Sequence, residues 1–448
     1  MRKRIGQLPV ARARIRVIKI GLEYVIVVGA PAYPVSPDVF ATESVFARHL
    51  EVLREQLASR FQRLHLIAPR MPEEEYQKQR TSMKELRSED GFSFCPMPPG
   101  GTNLLRYWMA MPTALPRMFD TIRRSEVVHA GLSSDLYRPI GFLATMVGLV
   151  QKKRSIFVVD IDFRKSAAMN YETKRWSRKS YLICTYVYDP LRAAQIRLAS
   201  RFCSLVLLKS PRMVEAFGGG RPNVKDFFDT AHDEENIIGP DAVAARRQRL
   251  SDGGRPIRLV YFGRLVPYKG VDRTLEAVAR ARTESGRDFR LDIIGSGDDE
   301  ARLRGLVGEL GLKDAVTFHP AVPYGPALFG KLMDADLMLA TPLSEDTPRS
   351  AFDALSAGLP IVAFDLSYYQ DLEASEAVIT VRWPDVGAVA AAIRRLDSDR
   401  EQMKRMVDKA VAFAHANTQS VWIDRRMRWT WEMLDGAGGA TPVAASGH

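Results

Sequence analysis

Two cationic residues stand in a short loop that the sequence places between a strand and a helix. Arg264 and Lys269 follow Gly263, after an apolar run and before an amphipathic one. A helix N-terminus already carries partial positive charge, so two cations beside it are unfavourable unless an anion binds there. The helix amides and both side chains can together hold a diphosphate. The alternative is a solvated loop whose charges bind nothing.

Two carboxylates, Glu345 and Asp353, stand eight residues apart in a second loop and helix. Thr347 suits the helix N-cap, Pro348 the first helical position and Gly358 the C-terminal cap. Asp353 then leans back toward the helix start, because helical Cα–Cβ bonds tilt that way. Carboxylates accept hydrogen bonds from sugar and ribose hydroxyls. The alternatives are a solvated acidic loop and a salt bridge of Asp353 with the arginine one turn earlier.

Two further patterns have to be weighed as signs of other enzyme classes. The turn Gly295-Ser296-Gly297 lacks the third glycine of the dinucleotide fingerprint, so it argues little for a dehydrogenase and is typical of a tight strand-to-helix turn. Asp160 and Asp162 follow a predicted strand, and two carboxylates at this spacing can share a divalent cation. This pattern would indicate a metal-dependent sugar transferase.

The elements that must position these residues alternate along the chain. Short β-branched runs, each followed by Gly or Pro and a helical stretch, predict an α/β fold with parallel sheets. In the first half we predict strands at 24–29, 64–68, 127–130, 155–160 and 205–208, and helical stretches at 39–60 and 174–201. In the second half we predict strands at 258–262, 290–294, 316–318, 337–340 and 360–364, and helices from 272 and 298 and at 326–333, 348–357 and 418–434.

The composition is that of a globular protein that attracts anions. Of 448 residues, 46% are hydrophobic and 26% charged, and the net charge is +11. This charge favours nucleotide phosphates or acidic lipids, and no nucleic-acid-binding signature accompanies it. Three scattered cysteines fit a reducing cytoplasm. The apolar run 139–150 is too short to span a bilayer. The basic stretch 174–181 could rest on the inner face of an anionic membrane, with a solvated helix face as the alternative.

In combination and in order, these motifs resemble the C-terminal domain of glycosyltransferase family 4, which has the GT-B fold. The strings LVYFGRLVPYKGVDRTLEAVA, LDIIGSGDDEARLRGLVGELGL and ADLMLATPLSEDTPRSAFDALSAGLPIVAFD carry the resemblance. It implies two Rossmann-like domains facing across a cleft, with the C-terminal helix crossing back to the N-terminal domain. We predict a basic arm at 1–21, an acceptor-side domain at 22–240, a nucleotide-sugar domain at 256–415, a helix at 416–435 and a disordered tail at 436–448.

The resemblance also implies roles for single residues. Gly263, Arg264 and Lys269 would hold the donor diphosphate. Glu345 would lie against the donor sugar, with Thr347 beside it, and Asp353 would hold the ribose hydroxyls. The strand end Phe318-His319 would border the base.

The sequence departs from the family pattern at several positions. Asp353 replaces the family's second Glu, Pro320 stands where a Gly is frequent, and Asp346 and Pro348 stand where small residues are usual. Pro348 also removes one N–H donor.

Three residues of the first half are further candidates. Asp162 falls where the family often has a His, and His129 ends a strand and could face the cleft, with a core histidine as the alternative. Asp162 and His129 are both candidate substrate contacts. His232 falls near a phosphate-side or acceptor-side loop of the family.

The resemblance implies a retaining hexosyltransferase that uses a nucleotide-diphosphate sugar and needs no metal or other cofactor. The acceptor would be a glycan, a lipid-linked molecule or a small molecule, in polysaccharide or glycolipid biosynthesis. Same-face attack, with a leaving-group oxygen taking the acceptor proton, would keep the anomeric configuration, and Glu345 would orient the sugar. The alternative is a degenerate protein that binds a nucleotide sugar or a partner without turnover.

Overall fold

The computed structural model describes residues 22–133, 135–347 and 349–436. These form two compact units: the first takes in residues up to 129 and 137–153, and the second takes in 130–136 and the chain from 154 onward. The predicted basic arm and all but the first residue of the predicted tail lie outside the described residues. The predicted domain limits at 240 and 256 do not coincide with the edges of these units and stay a prediction.

The first unit pairs parallel strands with a small antiparallel sheet. Its elements are β1 (Leu22–Val27), β2 (Tyr33–Ser36), β3 (Val39–Glu43), α1 (Ser44–Leu57), β4 (Phe61–Pro69), α2 (Glu73–Gln79), β5 (Met83–Arg87), β6 (Phe92–Met97), α3 (Leu104–Arg124), the start of β7 (Val127–Gly131) and α4 (Ile140–Val150). Strand β1 lies between β7 and β4, and β6 pairs with β4, all in parallel. Strands β2, β3 and β5 form the antiparallel sheet.

The helix predicted over 39–60 is wrong in its first five residues. Residues of β3 pair with β5, and Phe40 and Ala41 are buried there. Helix α1 begins only at Ser44. The aromatic and β-branched residues of β3 favour a strand once a partner strand is present, and that partner lies forty or more residues further along the chain.

The second unit contains three parallel strands in its first part and a six-stranded parallel sheet in its second. The elements of its first part are β8 (Arg154–Val159), α5 (Ser166–Glu172), α6 (Arg178–Ile183), α7 (Asp189–Phe202), β9 (Leu205–Leu208), α8 (Pro211–Gly218), β10 (Val224–Asp226) and α9 (Pro240–Ser251). Strand β9 pairs with β8 and β10.

The remaining elements build a six-stranded sheet and its helices. They are β11 (Arg258–Phe262), α10 (Val271–Ser285), β12 (Arg290–Ile294), α11 (Glu300–Glu309), β13 (Val316–His319), α12 (Pro326–Leu332), β14 (Leu337–Ala340), α13 (Arg349–Ser356), β15 (Ile361–Phe364), α14 (Ser367–Leu372), β16 (Val378–Val381), α15 (Val386–Ser398), α16 (Arg400–Ala416) and α17 (Gln419–Asp435). The strand order is β13-β12-β11-β14-β15-β16.

The strands of the six-stranded sheet read as apolar runs because helices cover both faces of a parallel sheet. Strands β14 and β15 are buried at every position. Four predicted strands have the observed bounds: β9, β11, β12 and β14.

Helix α9 covers most of residues 241–255, the interval between the two predicted domains. Its Arg246 is buried, and the guanidinium donates to the carbonyl oxygens of Ala357 and, at 3.0 Å, of Leu332. At the other end of the chain, α17 contacts β9, and the guanidinium of Arg426 lies 5.7 Å from the ring centroid of Phe227. The predicted return of the last helix to the earlier sheet is therefore confirmed for β9.

The predicted helical stretch 174–201 begins later and is not uniform. Helix α6 starts at Arg178, a π-helical turn spans Cys184–Tyr188, and α7 follows. No helix of the described residues has the length and apolarity needed to cross a bilayer. All three cysteines are buried and none forms a disulfide.

Candidate active site

The loop after β11 brings the two predicted cations to one aromatic ring. Tyr261 Oη donates to the carbonyl oxygen of Arg264 at 3.0 Å and so fixes the backbone of the loop. The Arg264 guanidinium donates to Tyr268 Oη at 2.6 Å, and the Lys269 ammonium lies 5.5 Å from the Tyr268 ring centroid. A third cation, Arg175, lies 5.6 Å from the same centroid. These cations gather at the carboxyl end of a central strand, where parallel α/β sheets bind ligands.

Gly270, the N-cap of α10, allows this loop to touch the loop that bears the carboxylates. Its φ is +64°, and a Cβ there would lie 1.9 Å from the carbonyl oxygen of Thr341. Thr341 Oγ1 donates back to the Gly270 carbonyl at 2.7 Å, and Leu343 N donates to the Tyr268 carbonyl at 2.7 Å. Both the left-handed backbone and the missing side chain require glycine here.

An ion pair also joins the two loops. The Lys269 ammonium donates to the carboxylate of Asp346, and the two side chains are only 16% and 17% exposed. Asp346 Oδ1 also accepts from Thr347 N at 2.9 Å. The cation that we predicted to bind a diphosphate therefore already has a carboxylate partner.

Glu345 is a buried acid at the carboxyl edge of the sheet. Its Oε1 accepts from Ser367 N at 3.1 Å and from Ser367 Oγ at 2.8 Å, at the start of α14. Burial raises the pKa of Glu345, the Ser367 hydrogen bonds oppose this, and the charges of Asp162 and Lys165 also act on it. The structure therefore brings the predicted Asp162 close enough to Glu345 for the two charges to interact.

Asp162 is itself held by a neighbouring guanidinium. Arg164 Nε donates to Asp162 Oδ1 at 2.9 Å, and Arg164 Nη2 donates to Oδ2 at 2.5 Å. Both carboxylate oxygens of Asp162 are thus engaged by one guanidinium, and the metal site suggested by the spacing of Asp160 and Asp162 stays an alternative. The described residues contain no group of three or more His, Cys, Asp or Glu that could hold a metal ion.

Asp353 lies buried in α13. Tyr324 Oη donates to Asp353 Oδ1 at 3.4 Å, and burial raises the pKa of Asp353 to about 7. The alternative interpretation, a salt bridge with Arg349, is not among the ion pairs of the described residues, although the Arg349 charge acts to lower that pKa. Gly358 ends the helix with a φ of +65°, which confirms the predicted cap. The N-cap role of Thr347 stays a prediction, because Pro348 lies outside the described residues.

The turn Gly295-Ser296-Gly297 packs closely against the backbone of the cationic loop. A Cβ on Gly295 would lie 1.9 Å from the Gly263 carbonyl oxygen, and one on Gly297 would lie 2.2 Å from that of Leu265. Leu265 N donates to the Ser296 carbonyl at 2.9 Å. These glycines permit close backbone packing, as the tight-turn interpretation expects.

The strand end Phe318-His319 contacts the Gly295 turn through its backbone. The His319 carbonyl accepts from Gly295 N at 3.1 Å. The side chains have other partners: His319 Nε2 donates to Asp292 Oδ1 at 2.7 Å, and the Arg304 guanidinium lies 4.3 Å from the Phe318 ring centroid. Their predicted role beside a base stays a prediction.

Two further histidines have structural partners. In the first unit, His129 Nδ1 lies 2.8 Å from Tyr24 Oη on the neighbouring strand. In the second unit, His232 is fully buried, and its Nε2 donates to the Ala414 carbonyl at 3.0 Å. These contacts favour a structural role for both.

The structure adds residues that the sequence did not single out. Ser367 follows a predicted strand at the ligand-binding edge, and Arg164 and Lys165 stand two and three residues after Asp162, so position along the chain could have indicated all three. Tyr324 and Arg175 carry no such signal, because they reach Asp353 and Tyr268 only through the folding of distant loops.

Part of the chain matches a known family. Residues 244–412 match the family model for glycosyl transferases group 1. The chain is 27% identical over 186 residues to 2-deoxystreptamine glucosyltransferase of Streptomyces kanamyceticus, which is 40% of this chain and 47% of that protein. It is 30% identical over 176 residues to alpha-D-kanosaminyltransferase of the same organism, which is 37% of this chain and 43% of that protein. The chain therefore spans less than half the length of these relatives.

Solved structures resemble nearly the whole chain. Anabaena HepE in complex with UDP matches with a TM-score of 0.57 and 16% identity, over 92% of this chain and 100% of that one. WaaG, a glycosyltransferase involved in lipopolysaccharide biosynthesis, matches with a TM-score of 0.54 and 12% identity, over 92% and 100%. These neighbours are GT-B glycosyltransferases with two Rossmann-like domains. The likeness confirms the predicted α/β fold class.

Proposed function

We propose that this protein is a hexosyltransferase that moves a sugar from a nucleoside-diphosphate donor to an acceptor hydroxyl with retention of the anomeric configuration. The family match and the relatives named as glycosyltransferases support this activity. HepE binds UDP and UDP-glucose in its crystals, which supports a nucleotide-sugar donor here. Membership of family 4, the retaining course and the acceptor are parts of the same proposal.

One observation carries the proposal. A loop with two cations and a loop with a buried carboxylate, far apart in the chain, touch through Gly270 and Thr341 and through the Lys269–Asp346 ion pair. A nucleotide sugar needs this combination, because its diphosphate is anionic and its sugar offers hydroxyl donors to a carboxylate.

In this proposal the cations stabilise the diphosphate as the leaving group. When the bond between the anomeric carbon and the diphosphate oxygen breaks, negative charge develops on the diphosphate. Arg264, Lys269 and the amides at the start of α10 would stabilise that charge, which preorganised donors do most effectively in the transition state. The proposal therefore assigns no step to a metal ion, and turnover that persists in EDTA is the expected result.

Glu345 would position the sugar. The acceptor oxygen forms its bond on the face that the diphosphate leaves, and its proton passes to a leaving-group oxygen, so the configuration is kept. The Ser367 hydrogen bonds fix the Glu345 carboxylate through its Oε1, so the group is held in place to accept from a sugar hydroxyl. Asp353 would accept from the ribose hydroxyls when ionised.

A second candidate function has one observation in its favour. The Lys269 ammonium is already paired with the Asp346 carboxylate, so a diphosphate must displace that carboxylate or share the ammonium with it. A protein that binds a nucleotide sugar weakly and without turnover would also fit that arrangement.

The test is nucleotide release from a panel of UDP-, GDP- and ADP-sugars, with glycan, lipid-linked and small-molecule acceptors. We expect turnover with one donor class and a loss of about a hundredfold for Glu345→Gln and for Arg264→Ala, because each removes a preorganised polar contact. Glu401→Gln and Arg280→Ala, which alter exposed ion pairs elsewhere, are the matched controls.

The outcomes separate the two candidates. Thermal stabilisation by a nucleotide sugar without product, in any donor and acceptor combination, would favour the binding protein. Undiminished transfer by Glu345→Gln or Arg264→Ala would refute the assigned roles.

A further inference from the structure

The helix that runs from α6 through α7 exposes an apolar stripe. Leu182, Ile183, Tyr186, Val187 and Leu191 are all exposed, with Tyr186 at 73%. Side chains four residues apart share a helix face, and these residues fall at such spacings across the π-helical turn. Isolated exposed apolar residues are ordinary on a protein surface, but a contiguous set indicates an interaction site.

The opposite side of the same helix anchors it in the protein. Cys184, Ile196 and Ala199 are buried. Asp189 is paired internally with Arg192 at 3.1 Å and so adds little negative charge to the outer surface. The helix is therefore fixed with its apolar stripe directed outward.

Basic residues border the stripe at its N-terminal end. Lys174, Arg175, Arg178 and Lys179 are exposed there, against one exposed acid, Glu172. Two copies of such a surface would repel each other, whereas an anionic surface attracts each basic residue and enriches the protein roughly fivefold per residue. Apolar side chains beside basic ones are typical of helices that lie in the interface of an anionic bilayer.

The same segment leads back to the candidate site. Arg175 lies against Tyr268, the ring that also contacts Arg264 and Lys269. Arg175, which touches the cationic loop, thus precedes Leu182, the first residue of the stripe, by only seven residues of chain. A bilayer that bound the stripe would lie close to the site.

We propose that the exposed side of residues 178–191, the docking face, binds the surface of an anionic phospholipid bilayer. Tyr186, Val187 and Leu191 enter the headgroup region, and Arg178 and Lys179 contact lipid phosphates. The binding itself does not depend on sugar transfer. Together with the proposed function, it assigns the acceptor to the lipid-linked class.

The test is co-sedimentation of the full chain with vesicles of phosphatidylcholine alone or mixed with phosphatidylglycerol. We expect binding only to the mixed vesicles and its loss at raised salt. Arg178→Glu with Lys179→Glu should weaken binding roughly 25-fold or more, from two lost basic contacts of about fivefold each. These acids stand at the start of α6, where the helix dipole favours them, so the variant should fold.

A charge-matched control separates the docking face from net charge. Lys313→Glu with Lys331→Glu makes the same change at exposed positions of the six-stranded part and should leave vesicle binding unchanged. Tyr186→Ser with Leu191→Ser should also reduce binding, with UDP binding and circular dichroism as checks of folding. If that variant does not fold, the charge variant decides.

Several results would overturn the proposal: equal vesicle binding by wild type and Arg178→Glu/Lys179→Glu, no preference of the wild type for anionic vesicles, or self-association in solution that Tyr186→Ser/Leu191→Ser abolishes. The last would assign the face to a second copy of the chain. Because vesicle binding is measured without donor, its failure is distinct from failure of the transferase proposal.

Discussion

Replacement of Asp346 by Asn should tighten nucleotide binding. Lys269 cannot give its charge fully to a diphosphate while it is bonded to the Asp346 carboxylate. A hydrogen bond to a charged group contributes about 1.5–3 kcal/mol, and both side chains are largely buried, which limits screening by salt. Asn keeps an oxygen that can accept from Thr347 N, so the loop should keep its conformation.

The size of the effect follows from that ion pair. If the donor must break the Lys269–Asp346 bond, Asp346→Asn removes a cost of about 1.5–3 kcal/mol from the free energy of binding. This corresponds to a Kd for UDP that is roughly ten- to a hundredfold lower. Isothermal titration calorimetry at constant pH and ionic strength measures it. Asp408→Asn, which removes the partner of Arg247 on the outer surface, is the matched control and should not change the Kd.

A double-mutant cycle isolates the cause. Lys269→Ala alone should weaken UDP binding, and Asp346→Asn should give no further gain in the Lys269→Ala background, because the competing pair is then absent. An unchanged or higher Kd in Asp346→Asn would refute the competition between Asp346 and the diphosphate.

Two further predictions concern stability and pH. Gly270→Ala should lower the free energy of unfolding, measured in urea, by more than the backbone cost of about 1–2 kcal/mol, because its Cβ would lie 1.9 Å from the Thr341 carbonyl oxygen. Gly311→Ala, at a φ of +66° in open space, should show only that backbone cost, and equal losses would contradict the argument. Because the pKa of Asp353 is raised to about 7, the folded state holds a proton that the unfolded chain releases near its ordinary pKa of about 4, so stability should fall as pH rises from about 4 to 7. Asp353→Asn should remove this part of the dependence of the free energy of unfolding on pH, measured by urea denaturation. UDP affinity of the wild type should rise through about pH 7 as the Asp353 carboxylate ionises. The same pH dependence of stability in wild type and variant, or a UDP affinity that does not change with pH, would count against these assignments.

Several elements could be predicted because their signals are local. Strands β9, β11, β12 and β14 are short apolar runs bounded by polar or turn-forming residues, and burial on both faces of a parallel sheet requires such runs. Gly358 takes the left-handed conformation that a helix C-terminus favours. Strand β3 was missed because its pairing with β5 is not a local property.

Sequence patterns alone predicted the order of strands and helices over residues 258–364 and the residue types at the carboxyl edge of that sheet, but not α14, β16, α15 or α16. Which of those residues touch was decided only by the tertiary structure. Lys269 meets Asp346, and Glu345 meets Ser367, across 77 and 22 residues of chain. Sequence periodicity indicates which face of an element is buried. Hydrogen bonds and ion pairs depend on distances of a few ångströms between loops. Those distances are fixed by how the strands pair and by where glycines let two backbones approach each other.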